Sequence, residues 1–438
     1  MILDKVYDAS INFSINRAKS SSAIALGFHS VIDGLIRVKP EKFSNIMDID
    51  IPKNLDMLPK SIKTKEDFFK SLLFSFVNGS ALQLMIDSED VYKWIMKEFG
   101  TGTLHLGGTS ANMAAALTCF PFPKVLIYAY PLTEELAKLF PISPNLFVVY
   151  GDGLKQPKEI YGQKGIKAIH WIFEFSQGQK IKISGKNYIC PRSNRFIASW
   201  NPVNSRLEVR EPFKSYVIEH ASAISKFLLS GFHIMRDVYP DGKTARDRID
   251  DLANFIQDMK RRNPQIQFHV EFASIRRDGV RKAVEDTLFP ISDSLGANEV
   301  ELSWIARDLG MDTNGIEKGD VKKTSDVLLK LREIGLKRVH FHTLGFYLLA
   351  FDEKFYDVEE EKLALAFAAL AAAQRAKDGK LISDNLKDVL KIPTSSIEYK
   401  EWKESDTKFV LFPTKVVPNP TITVGLGDTI SSLGFALG

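Results

Sequence analysis

Short apolar runs alternate with helix-length amphipathic stretches over most of the chain, the rhythm of βαβ units and a mainly parallel sheet. The first run, AIALGFHSVIDGLIRV (23–38), predicts a strand breaking into a turn that carries His29, Ser30 and Asp33. GSALQLMI (79–86) reads as a strand, and LHLGGTSANMAAAL (104–117) as a glycine turn opening a small-residue helix. KVLIYAYP (124–131) and NLFVVYG (145–151) read as strands around a helical TEELAKLF. From residue 211 the rhythm holds, with strands over 227–232, 267–274, 292–298 and 338–343, then FYLLAF and FVLFPTKVV as an antiparallel edge pair. LALAFAALAAA (363–373) is apolar all round, too short to cross a bilayer and bounded by Lys362 and Arg375, so it reads as a buried helix.

Two segments break the rhythm. Residues 39–72 are rich in charge and proline, turning helical from Glu66, and residues 166–199 are β-branched and aromatic without long helices. Together they predict a small β-rich (α+β) lid over 36–95 and 166–204, set on a discontinuous α/β core of 1–35, 96–165 and 205–438. No internal repeat or low-complexity tract interrupts this pattern.

With 438 residues, 45% of them hydrophobic and 26% charged, the composition is that of an ordinary globular protein able to bury a large core. The formal charge is only +4 and no basic block appears, which argues against a nucleic-acid partner. The N-terminus has acids early and no long apolar run, so neither a secretory signal nor a membrane partner is expected. Two cysteines without CxxC spacing fit a reducing cytoplasm.

The candidate chemistry centres on TITVGLGDTISS (421–432), which reads as a glycine turn opening a helix. The free N–H groups and dipole of such a turn receive an anion, usually phosphate. Asp428 would repel that anion, so its place at the mouth points to a different role, that of taking the proton of a hydroxyl that attacks a bound phosphoryl group. His269 and Glu271 in HVE share a strand face, and Asn298 and Glu301 in NEVE share a helix face. These are either oxygen ligands for magnesium or, respectively, a satisfied buried pair and an N-cap with solvated acids. Asp33 either binds sugar hydroxyls or caps a turn. His340 and His342 in HFH are the only hint of a zinc hydrolase, and no P-loop, GxSxG or HExxH occurs.

Several motifs in order resemble the archaeal ADP-dependent glucokinase and phosphofructokinase family: GG at 107–108, IHWIFEF (169–175), NRFI (194–197), LSG (229–231), HVEFASIR (269–276), DSLGANEVEL (293–302), RVHFHTLGF (338–346) and PTKVVPNPTITVGLGDTISS (413–432). The resemblance covers roughly three quarters of the chain, in keeping with one multi-part signature rather than isolated matches. It implies a ribokinase-like three-layer α/β/α core and transfer of the β-phosphoryl group of ADP to a sugar hydroxyl with Mg²⁺, releasing AMP. By motif, Asp428 is the base, and Gly425, Leu426 and Gly427 form the anion hole. Glu271, Glu301 and Asn298 organise the metal, while Arg195, Asn298, His342, Val417 and Gly427 meet the nucleotide. Asp33, His29, Gln83, Gly107, Gly108, Thr109 and His170 meet the acceptor. Two departures bear on the acceptor: His29 stands where the family has an asparagine, and Gln83 where its glucokinases have a glutamate. The expectation is a phosphorylated sugar, fructose 6-phosphate-like or ribose 1-phosphate, ahead of glucose, handled by a monomer. The competing expectation is a non-catalytic nucleotide or sugar sensor.

Overall fold

The computed structural model describes residues 2–39, 49–183 and 186–438. Residues 40–48 of the expected lid and the last two residues of KIKISG lie outside them. Two sheets organise the molecule. The large one runs Lys400–Glu404, Thr407–Pro413, Phe346–Asp352, Arg338–His342, Ser294–Asn298, Gln267–Glu271, Ile224–Leu229, Ala23–Gly27, Val125–Ile127, Leu146–Tyr150, Gly153–Lys155. Every pairing from Arg338–His342 to Leu146–Tyr150 is parallel. FYLLAF and FVLFP do pair antiparallel, but Lys400–Glu404 adds a hairpin strand outside them and becomes the edge.

Alternation along the strands sorts side chains into two cores. Ala25, Phe227, Phe268, Val270 and Phe341 pack against helices such as Ala245–Arg262 on one face. Leu26, Leu228, Tyr347 and Leu349 pack on the other against Thr109–Leu117, Val358–Asp378 and Leu426–Leu437. The result is three layers, helix, sheet and helix. The alanine-rich run forms the buried centre of Val358–Asp378, with helices Ile2–Ser20 and Leu426–Leu437 against it. Its small side chains allow close helix approach. No helix among the described residues is long and apolar enough to cross a membrane.

The smaller sheet has the order Leu82–Met85, Asn194–Trp200, Ile169–Phe175, Val31–Arg37, Thr103–Gly107. Residues 31–35 and Thr103–Gly107, expected in the core segments, pair in this sheet together with residues 36 and 37 of the expected lid. Two consecutive buried strands, Ala23–Gly27 and Val31–Arg37, belong to different sheets, and apolar character alone cannot tell them apart. TEELAKLF shrinks to the single turn Glu134–Ala137, cut short before Pro141. The strand expected over 227–232 is shifted to Ile224–Leu229, and those expected over 267–274 and 292–298 are trimmed to Gln267–Glu271 and Ser294–Asn298.

The small sheet is two-sided. Trp171, Phe173, Phe196 and Leu82 bury against helices Lys65–Asn78 and Glu89–Phe99. In strand register, Asp33 lies beside His170 and His105, Arg195 beside Glu174, and Ser199 beside His170. Those polar residues share the opposite face, which looks towards the large domain. A cleft of about 450 Å³ lies between them, lined by Asp33, Ile172 and Glu174 on one side and Asn112, Arg375, Ile422 and Val424 on the other.

Candidate active site

The last helix, Leu426–Leu437, begins at Gly425, whose φ of +72° is left-handed. A Cβ there would lie 2.5 Å from an Arg375 guanidinium nitrogen, so conformation and space both demand glycine. The helix is held along its length. Near its start Arg375 Nη1 donates to Thr429 Oγ1 (2.9 Å). Near its end Arg338 Nη2 donates to the Gly434 carbonyl (3.1 Å) and the partly buried Lys226 ammonium to that of Phe435 (2.6 Å).

Asp428 sits in the first turn, buried. Asn112 Nδ2 donates to its Oδ2 (3.0 Å), and Arg375 Nη2 donates to Asn112 Oδ1 (3.4 Å). Burial, then the charge of Glu271, lifts the carboxyl to about 7, against the pull of Arg375 and the Asn112 hydrogen bond. A carboxylate poised near neutrality beside a helix N-terminus suits a general base. Asn112 and Arg375 were not anticipated. The available signals were an amide inside an otherwise small-residue helix and a cation closing an alanine-rich one.

Glu271 ends its strand and Asn298 ends the neighbouring one, so parallel pairing brings them to the same edge. The N-cap reading of NEVE holds in part. Asn298 Oδ1 accepts from the N–H groups of Val300 and Glu301, and Glu301 Oε2 accepts from that of Asn298 (3.0 Å), a reciprocal cap. Glu301 is nevertheless buried rather than solvated, and burial followed by Glu271's charge raises it to about 8. Burial raises Glu271 too, but the His269 hydrogen bond and the His342 ring outweigh it and hold that carboxyl low. Repulsion between the two acids thus disfavours charging both at once. Among the described residues no three His, Cys, Asp or Glu side chains converge as a ready ligand set. His340 and His342 lie with ring centroids 5.7 Å apart, so HFH gains no third partner and the zinc-hydrolase arrangement does not form. His340 is buried against Gly434 of the last helix, whereas His342 abuts Gly427 of the glycine turn.

Near His342, Thr414 donates through its N–H to the Gly345 carbonyl (3.1 Å) and the Val416 N–H donates to that of Pro393 (2.9 Å). These bonds draw together the loops that carry His342 and Val417. Arg195 stands on the small sheet, in electrostatic reach of Glu174 and Asp33, and with Thr423 it lines a second cleft between sheet and glycine turn.

Asp33 is on a strand, which corrects the expected turn, and its Oδ1 has no hydrogen-bond partner among the described residues. Burial raises it to about 7, with Arg195 opposing. A Cβ on Gly107 would fall inside the Asp33 carboxylate, and one on Gly108 would strike the His29 carbonyl. The glycine pair therefore lets the helix carrying Thr109 and Asn112 approach this point. Asn201 Nδ2 donates to His170 Nε2 (2.7 Å), which leaves the His170 Nδ1 proton facing Asp33 Oδ1 at 3.6 Å. Gln83 Nε2 donates to Ser199 Oγ (3.0 Å) in the same row. The His29 ring lies 5.1 Å from that of His170 and 4.9 Å from that of His233. His233, Asn201 and Asn204 are further residues the sequence did not single out.

All the expected site residues except Val417 are thus linked by contact, register or charge to one of two neighbouring groups, one at the glycine turn and one at Asp33. Asp33 is near enough for its charge to raise the proton affinity of Asp428. The family model for the ADP-specific phosphofructokinase/glucokinase conserved region matches residues 22–437. An ADP-specific phosphofructokinase of Thermococcus zilligii is 28% identical over 94% of this chain and 95% of its own length. An ADP-dependent glucose/glucosamine kinase of Pyrococcus abyssi is 29% identical over 99% and 98%. A solved ADP-dependent kinase in complex with fructose 6-phosphate and ADPβS superposes with a TM-score of 0.84 at 27% identity, covering 99% of this chain and 97% of the other. With a match that runs from the first core strand to the last helix, the chain belongs to the family of ADP-specific phosphofructokinases and glucokinases.

Proposed function

We propose that this chain is an ADP-dependent sugar kinase that moves the β-phosphoryl group of ADP to a hydroxyl of a sugar or sugar phosphate and releases AMP. The observation that carries this reading is the buried Asp428, its carboxyl raised to about 7, in the first turn of a helix and hydrogen-bonded to Asn112, which lines the cleft together with Asp33. Asp428 takes the acceptor's proton through the oxygen that Asn112 does not occupy. The amides of Gly425, Leu426 and Gly427, with the Arg375 guanidinium beside them, stabilise charge on the transferring group. Asp33, Gln83, His29, Thr109, His170 and the Gly107–Gly108 turn hold the acceptor. Arg195, Asn298, His342 and Val417 enclose the nucleotide.

The donor set fits Mg²⁺: two buried carboxyls that cannot both be charged without a counter-ion, next to an amide, supply oxygens to a cation that keeps several waters. Glu271, Glu301 and Asn298 would hold it, partly through water. When bound, the ion neutralises charge on the phosphoryl oxygens. The small sheet acts as a lid whose polar face excludes water from the phosphoryl group. A phosphorylated sugar is the favoured acceptor, because the Gln83 amide repels a phosphate less than a carboxylate does. The enzyme works as a monomer in the cytoplasm.

The test is AMP release from ADP over a panel of glucose, glucosamine, fructose 6-phosphate and ribose 1-phosphate, with ATP in parallel. Turnover with at least one acceptor and ADP is expected. ADP binding by calorimetry without turnover on any of them would replace the kinase with the sensor.

A further inference from the structure

The face of the large sheet that meets the last helix carries a buried row of polar residues leading to Glu271. Parallel register sets His269 beside Ser294 and Ser294 beside Arg338, and further along the same strands it sets Glu271 beside Gly296. His269, Ser294 and Arg338 are fully buried, as is Ser431 of the last helix. The His269 ring stacks on Phe435 with centroids 4.8 Å apart, which sets its plane. Its Nδ1 lies 2.9 Å from Ser294 Oγ, and its Nε2 lies 2.9 Å from Ser431 Oγ and 3.4 Å from Glu271 Oε2. The Ser431 hydroxyl is itself hydrogen-bonded to Glu271. Gly296 makes the room for this meeting, because a Cβ there would strike Glu271 Oε2 and Ser431 Oγ.

The direction of these bonds follows from Arg338, whose guanidinium can only donate. Its Nη1 donates to Ser294 Oγ (3.3 Å), its Nε to Glu361 Oε2 (3.0 Å) and its Nη2 to the Gly434 carbonyl (3.1 Å). Ser294 therefore accepts from Arg338 and has its own proton to give, which goes to His269 Nδ1. An imidazole that accepts at Nδ1 carries its proton on Nε2. That proton points at Ser431 Oγ, whose hydroxyl proton is then free for the Glu271 carboxylate. The other assignments break this sequence. A proton on Nδ1 would leave the buried Ser294 proton unplaced and, on a neutral ring, would turn a lone pair of Nε2 towards the carboxylate.

We propose that His269 is a positioning residue for Glu271: Arg338, acting through Ser294, holds it as the Nε2–H tautomer, and with Ser431 it fixes the carboxylate in the orientation that serves Mg²⁺. The consequence for Mg²⁺ rests on the kinase reading above, whereas the tautomer does not. His269 acts through Glu271 and takes no part in the transfer itself, so its effects separate from those of Asp428.

The experiment has two arms. The native chain, isotope-labelled at its histidine nitrogens and free of metal and nucleotide, is read by long-range proton–nitrogen correlation, the His269 signals being those lost in H269Q. A protonated Nε2 with a bare Nδ1 is expected; a proton on Nδ1, alone or on both nitrogens, overturns the proposal. AMP release is then followed against Mg²⁺ concentration for the native chain, H269Q and H269N, with the best acceptor of the panel above. Glutamine can place an N–H donor where Nε2 stands, whereas the shorter asparagine reaches only the position of Nδ1. H269N should raise the half-saturating Mg²⁺ at least ~10-fold with the acceptor KM unchanged, and H269Q should recover most of that loss, the scale on which partners of metal ligands act. Equal Mg²⁺ requirements in H269Q and H269N overturn the positioning role, as does a parallel rise in the acceptor KM. Absence of turnover in the native chain defeats the kinase reading itself, and the tautomer, which is read without turnover, still decides the assignment of the row.

Discussion

Asp428 occupies an uneasy position: buried, close to Glu271 and Asp33, and balanced near neutrality by Arg375 and Asn112. As the base it works only when ionised, so turnover should rise with pH through about 7 and level off above it, which a pH profile of kcat at saturating substrates checks. Asp428→Asn should lose at least ~100-fold in kcat, the usual scale of general-base catalysis, with the ADP KM little changed. Stability should move the other way. A carboxyl raised from 3.8 when unfolded to about 7 when folded binds more protons in the native state, so stability is full below 3.8 and is lost as pH rises towards 7. The Asn variant, which carries no charge, should therefore melt higher than the native chain at pH 7.5. A lower melting temperature there would mean that Asp428 is not held against its charge. This residue was readable in advance because GLGD pairs an anion site with an acid that anion would repel. Arg375 was not, because a cation at the end of an alanine-rich helix is indistinguishable from a solvated one until Thr429 and Asn112 are placed beside it.

Among elements, the last helix and its glycine turn depend on contacts made by other segments. Gly425→Ala should cost both fold and function, since the left-handed backbone and the nearby guanidinium leave no room. The expected outcome is a lower melting temperature and at least ~10-fold lower kcat, the loss that follows when an anion-hole donor is displaced. Arg375→Lys should recover only part of what Arg375→Ala loses in kcat, because an ammonium cannot bridge Thr429 and Asn112 as the planar guanidinium does. Gly107→Ala instead strikes Asp33, so the acceptor KM should rise while the ADP KM holds. The strands of the large sheet were legible from their apolar runs and helix-length spacing. What the pattern hid was the change of sheet between Gly27 and Val31, because both flanking strands are buried and period-two alternation says nothing about which neighbour a strand pairs with.

At the scale of the whole molecule, the proposed site draws side chains from both sheets. Asp33, His170, Gln83 and Arg195 ride on the small sheet, whereas Asp428, Glu271, Asn298 and His342 belong to the large domain. Small-angle scattering should show the chain contracting when AMP and an acceptor are added together. An unchanged profile would make the small sheet a fixed wall rather than a lid. The chain changes sheet between residues 27 and 31, close to the boundary expected at 35. Position 33 belongs to the site in either reading, and only its strand partners at His105 and His170 reveal which wall bears it.

The helix bearing Asp428 is fastened by arginine and lysine side chains near both extremities, deep in the larger body. If Asp428 is the proton acceptor proposed above, it is the stationary party in the encounter, and any travel belongs to the opposing wall. Amides of that helix should then exchange with deuterium as slowly in the empty enzyme as in the loaded one, leaving adaptation to new acceptors to the travelling side.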